Sequence, residues 1–134
     1  MWVDSFGQKS YILLPKLDQM DIETIERMCQ SLPHTEVEIK WKSDLVFMIA
    51  KKMFCVVDLE AVPTSVAFKV ADDDFEEISM QPNFKPAPYF AQHKWVTVID
   101  VNRISQSDLK QYIETSYDLV KARLSKKKIA DLGS

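Results

Sequence analysis

Lysines and aromatic rings recur together along this chain. Lys40, Trp41 and Lys42 are consecutive, Lys51 and Lys52 follow within ten residues, and Lys69 ends an apolar run. Lys85, Tyr89, Phe90, His93, Lys94 and Trp95 share one proline-rich stretch. Ammonium groups at turns and strand ends suit phosphate contact, and aromatic rings can stack on bases. Lys40, Lys42, Lys51, Lys52, Lys69, Lys94, Tyr89 and Trp95 are therefore the candidate nucleic-acid-binding residues. A structural explanation competes with this one. Turn and edge lysines also block strand aggregation, and Trp41 and Trp95 could fill a core.

Other chemistries find less support. The chain has two histidines and two cysteines, with no Cys/His zinc spacing. Cys55 and His93 are a conceivable dyad, but Cys55 lies inside an apolar strand pattern, where a thiol is usually inert. Cys29 and Cys55 read as reduced core thiols, with a disulfide as the alternative. Asp72, Asp73, Asp74, Glu76 and Glu77 could hold a hard cation, or could simply stabilise the start of a helix. No catalytic residue, metal ligand or cofactor is expected.

These candidates are positioned by elements legible in the pattern. Asp21 reads as the N-cap of a helix whose apolar stripe is Ile22, Ile25, Met28, Cys29 and Leu32, ended by Pro33. Thr35–Trp41 alternates, with Val37, Ile39 and Trp41 opposite Glu36, Glu38 and Lys40. Leu45–Ala50, Met53–Leu59 and Thr64–Val70 are three further strands, the first two joined by a tight turn at Ala50–Lys52. Residues 71–80 read as a short helix with Asp72 as its cap. The run 81–94 reads as irregular, because Pro82, Pro86 and Pro88 deny it a long helix. Trp95–Val101 is a last strand. Ser105 or Ser107 caps the longest helix, with Leu109, Tyr112, Ile113, Ser116, Val120 and Leu124 as its inner stripe. Residues 129–134 read as a frayed tail, part of a loosening that begins at Ser125.

The totals bound what this domain can be. A chain of 134 residues is one domain with room for a core. Its net charge of −3 disfavours tight, nonspecific DNA binding by the whole surface. The charge is uneven: residues 71–81 hold five acidic side chains and no basic one. Residues 40–70 hold five basic side chains against three acidic ones, so the strands are mildly basic. No apolar run reaches the ~20 residues of a membrane span. Lys9 and Lys16 interrupt the apolar N-terminal stretches, so no signal peptide is expected. Residues 1–19 form an extension of uncertain structure. They are either a leader foreign to the domain, with Met20 as an alternative start, or a short element on the sheet's edge.

Several stretches together resemble the MmcQ/YjbR-like family. They are Ile39–Trp41, Asp44–Phe47, Lys52–Phe54, Ser65–Val70, Pro86–Tyr89, His93–Val96 and Ser116–Val120. The match runs in order from about Asp21 to Lys128, leaving residues 1–19 outside. The resemblance implies a compact frataxin-like (CyaY-like) arrangement, an antiparallel sheet covered on one face by helices. It also implies DNA binding through a double wing of β-hairpins, and it brings no catalytic residues.

The expected fold is α+β, with about five antiparallel strands covered on one face by two main helices. Residues 20–128 are the domain. The expected function is non-catalytic DNA binding by a cytoplasmic, bacterial, monomeric protein. A ligand or protein-interaction module built on the Pro86–Trp95 loop is the alternative. Frataxin-like metal binding through the acidic cluster is the third reading.

Overall fold

The computed structural model describes residues 20–133, so the expectations for residues 1–19 and Ser134 lie outside the described residues. Helix α1 spans Ile22–Gln30. Its cap is Asp21, whose carboxylate accepts the Thr24 N–H at 2.8 Å and is held below its usual pKa by that contact. Ile25 and Cys29, one turn apart, are its buried residues.

Four strands follow as an antiparallel meander: β1 Thr35–Lys40, β2 Asp44–Ile49, β3 Lys52–Asp58 and β4 Ser65–Lys69. The first two hairpins turn without glycine. Trp41 and Lys42 have φ of 50° and 80°, and Ala50 and Lys51 have 50° and 66°. Two consecutive left-handed residues match the right-handed twist of the strands. Each non-glycine residue there costs roughly 1–2 kcal/mol, which the pairing must offset. Lys51 is additionally tied across the sheet to Glu36 at 3.5 Å and Glu38 at 4.0 Å.

The rest of the sheet corrects the expected strand count. Phe84–Pro86 forms β5, inside the run read as irregular, and pairs with β6, Trp95–Val98. The sheet therefore has six strands, ordered β1-β2-β3-β4-β6-β5. An edge strand tolerates Pro86, because its missing N–H can point away from the ladder. β6 ends earlier than its apolar pattern suggests. Asp100 and Asn83 exchange two backbone–side-chain hydrogen bonds of 2.9 Å there, and Val101–Arg103 is a 3₁₀ turn. Asp72 is not a side-chain cap either. It opens a 3₁₀ turn, Asp72–Asp74, which leads into helix α2, Phe75–Ser79.

Helix α3, Gln106–Lys121, is capped by Ser105, whose hydroxyl accepts the Asp108 N–H at 3.1 Å. It lies across β3 and β4, with α1 beside it. Of the residues read as a frayed tail, 129–133 instead belong to helix α4, Lys126–Gly133. The Ser125 hydroxyl accepts the Lys128 N–H at 3.2 Å, and Leu132 packs on the main core.

The main core lies between helices and sheet. Phe47, Phe54, Phe68, Ile25, Leu109 and Ile113 are fully enclosed there. Burying each such side chain contributes about 1.5–3 kcal/mol. Tyr117 locks α3 to the turn after α1. Its ring meets Phe54 edge-on at 5.2 Å, and its hydroxyl donates to the Pro33 carbonyl at 2.6 Å. Tyr117→Phe should lower stability by about 1 kcal/mol, read as a lower urea midpoint at constant slope. An unchanged midpoint would mean that water serves the Pro33 carbonyl equally well.

The opposite face of the sheet is covered too. Val46, Met48, Val56, Ala87 and Trp95 form a second cluster there, with Phe90 packed on it. The cover is the stretch after β5, whose backbone is fixed by Ala87 N–H to the Trp95 carbonyl and Trp95 N–H to the Phe90 carbonyl.

Candidate nucleic-acid interface

Where β4 ends, the chain gathers positive charge. Lys69 is the last residue of β4, and its backbone N–H donates to the Ser116 hydroxyl at 2.9 Å. That hydroxyl donates in turn to the Phe54 carbonyl at 2.6 Å. The link matters because the β2–β3 register shifts between Phe47 and Met48, displacing Phe54 from regular pairing. Ser116 thus connects α3, β3 and β4 at the point from which the Lys69 side chain departs.

Lys69 is only 8% exposed, and its ammonium donates to the His93 carbonyl at 2.6 Å. Burial lowers its pKa, and the charges of Arg123 and Lys94 lower it further, with Asp72 opposing them. Lys94 takes a left-handed conformation at the end of a 3₁₀ turn, Ala91–His93, and its ammonium lies 5.2 Å from the Phe75 ring centre. Lys52 begins β3, and Arg123 follows the last turn of α3. Lys52, Lys69, Lys94 and Arg123 all line one cavity of about 630 Å³, with Asp72 as its acidic member. None of these four cations is ion-paired with a described residue.

The eight sequence candidates do not form one surface. Lys52, Lys69, Lys94 and Trp95 come together at the cavity. Lys51 is at the neighbouring hairpin tip but is engaged by Glu36 and Glu38. Lys40 ends β1 and Lys42 sits in the β1–β2 turn, at the other end of β2. Tyr89 is almost wholly exposed, on the loop between β5 and β6. Trp95 is buried against Phe90, with ring centres 5.7 Å apart, so its face is not open to a base. Trp41, which the alternation placed on the β1 strand, sits in the turn with its ring 6.2 Å from Phe90.

Arg123 was not among the candidates. Its signal was positional: it lies two turns after Ser116 and three residues after Val120, on the flank of the inner stripe. Cys55 and His93 do not meet. Cys55 is in the core beneath the helices, and His93 is exposed on the loop over the other face. Cys29 and Cys55 are buried free thiols, and the hydrogen bond of the Cys29 thiol to Cys55, with burial, pushes the Cys29 pKa up. Among the described residues, no three His, Cys, Asp or Glu side chains are grouped to hold a metal. No described helix is long and apolar enough to cross a membrane.

Residues 30–119 match the family model YjbR. The chain belongs to the YjbR family. Two solved structures share the YjbR fold seen here. A Deinococcus radiodurans protein with the family-model domain DUF419 superposes with a TM-score of 0.75 at 22% identity, covering 90% of this chain and 92% of that one. A Pseudomonas syringae protein superposes with a TM-score of 0.64 at 17% identity, covering 75% of this chain and 99% of that one. At such identities the likeness is one of fold. No curated protein matches this YjbR chain significantly.

Proposed function

We propose that this YjbR-family protein is a non-catalytic, cytoplasmic DNA-binding module that holds phosphate in the cleft between β3, β4 and the end of α3. One observation carries the reading. Lys52, Lys69, Lys94 and Arg123 converge on a single cavity whose lining holds one carboxylate, Asp72, and none of the four is ion-paired with a described residue. Gathering like charges is unfavourable unless an anion joins them. The β2–β3 hairpin tip borders the cleft through Lys52, in keeping with the hairpin contacts that the family resemblance implies.

Affinity should be weak, because the net charge is −3 and the acidic 3₁₀ turn adjoins the cleft through Asp72. Each phosphate contact releases condensed counterion, with a slope of about −0.9 in log affinity against log salt. Four engaged cations give roughly −3 to −4. Fluorescence anisotropy of a short labelled duplex across a salt series measures it. Lys52→Ala with Arg123→Ala should reduce the slope by about 2. Both side chains are exposed, so the fold should be unaffected. Changing Lys126, Lys127 and Lys128 to alanine should leave the slope as it is. If the duplex is not bound at low salt, or if only the α4 variant loses it, the reading is wrong.

A further inference from the structure

The cations of the cleft are graded by depth. Lys52 and Arg123 are exposed, Lys94 is half-buried and Lys69 is buried. An ammonium has three donors, and the His93 carbonyl takes one from Lys69. A phosphate inside a strand is flanked by sugars on both sides and carries one negative charge. It can lie along Lys52 and Arg123, but it approaches the recessed Lys69 less closely than a protruding group does. A terminal phosphate monoester protrudes from its carrier, presents three free oxygens and carries about −1.5 to −2 charges at neutral pH.

The cavity is also larger than a bare phosphate requires. Its volume of about 630 Å³ falls within the span of small-molecule sites, roughly 300–1,000 Å³. Phe90, packed on the buried Trp95, supplies an apolar wall on the loop side.

We infer that the cleft takes a terminal phosphate monoester, with Lys69 at its floor, Lys52, Lys94 and Arg123 around it, and the attached nucleoside against Phe90. The inference rests on the reading of this cleft as the DNA-phosphate site and adds which phosphate it prefers. The same chemistry is offered by a phosphorylated strand end and by a free nucleoside monophosphate.

The test compares two duplexes of one sequence, one with phosphorylated and one with hydroxyl ends, by anisotropy at low salt. The phosphorylated duplex should bind about tenfold more tightly, the equivalent of one charge-assisted hydrogen bond. Arg123→Ala and Lys69→Met should each reduce that preference, and thermal melting establishes that both variants fold. Thymidine monophosphate is then added as competitor. Displacement near the affinity of the phosphorylated duplex assigns the site to free nucleotides, and displacement only by phosphorylated duplex assigns it to strand ends. Either result supports the monoester. Equal binding of the two duplexes overturns the inference while leaving DNA binding intact. A preference that survives in both variants overturns it as well, by placing the phosphate elsewhere. If neither duplex binds, the inference and the function on which it rests fall together.

Discussion

Replacing Ser116 by alanine is expected to cost about 3 kcal/mol of stability and to lower the melting temperature by roughly 10 °C. The hydroxyl is completely buried, yet it makes two hydrogen bonds in opposite senses. It accepts from the Lys69 backbone N–H and donates to the Phe54 carbonyl. Alanine leaves both of those backbone groups without the partner. Each unsatisfied buried group costs about 1–3 kcal/mol, far more than the net worth of an ordinary hydrogen bond. The space freed is that of one oxygen, too tight for a water to make up both contacts. Ser107→Ala is the control, since Ser107 is exposed and its hydroxyl lies 3.4 Å from that of Ser105. Denaturant unfolding should show a lower midpoint at unchanged slope. A loss below about 1 kcal/mol would show that Lys69 N–H and Phe54 C=O can pair directly once the hydroxyl is gone. The same variant should weaken DNA binding at temperatures where it remains folded, because the Lys69 backbone is positioned through this bond.

That dual role explains which parts of the molecule were legible in the sequence. Ser116 reads as one more member of a helical stripe, and nothing local says that its hydroxyl bridges two strands. Local signals were sufficient for Asp21 and narrowed the α3 cap to Ser105 or Ser107, because a cap acts within three residues of itself. They were sufficient for β2, β3 and β4, whose β-branched and aromatic density has no helical period. They were insufficient for β5. Three residues containing a proline become a strand only when β6 lies beside them, and β6 is nine residues away along the chain. For α4, three consecutive lysines in the first turn oppose the helix dipole and disguised a helix that Ser125 caps and Leu132 anchors.

The site was half legible for a related reason. Residue type marked Lys40, Lys42, Lys51 and Lys52 as equivalent. Register then set the first pair and the second pair at opposite ends of β2, and two glutamates occupied Lys51. Trp95 was a candidate because its ring could stack on a base, and its type and position alone left open whether it would fill a core. All four residues of β6 are buried: Val96 and Val98 belong to the main core under the helices, and Trp95 lies under the loop carrying Phe90. Arg123 entered the cleft from α3, more than fifty residues along the chain from Lys69, and no sequence window spans that distance.

Lys69→Met should stabilise the protein by about 1 kcal/mol while weakening DNA binding about tenfold. The two effects have one cause. Lys69 is buried, its charge is partly desolvated, and Arg123 and Lys94 repel it. Methionine keeps an unbranched apolar body along the same path and removes the charge. The His93 carbonyl loses its donor, but it belongs to an exposed loop residue that water can reach. The pH dependence separates this account from a simple packing gain. The folded-state pKa of Lys69 lies below its ordinary value of 10.5, so the unfolded chain holds that proton more tightly. The folded state therefore carries a penalty that is fully present below the folded pKa. The penalty is relieved as pH rises from that point towards 10.5. The stability advantage of Lys69→Met over the parent should accordingly shrink as pH is raised through the same interval. Other groups titrate there as well, but they are common to both proteins and cancel in the difference. Urea unfolding of the two proteins in parallel, at neutral pH and at two alkaline values, measures it. A gain that is constant with pH would assign the effect to packing, and a loss of stability at neutral pH would show that the His93 contact outweighs the repulsion. A variant that is more stable yet binds less well would place Lys69 among the residues whose cost to the fold is retained for binding.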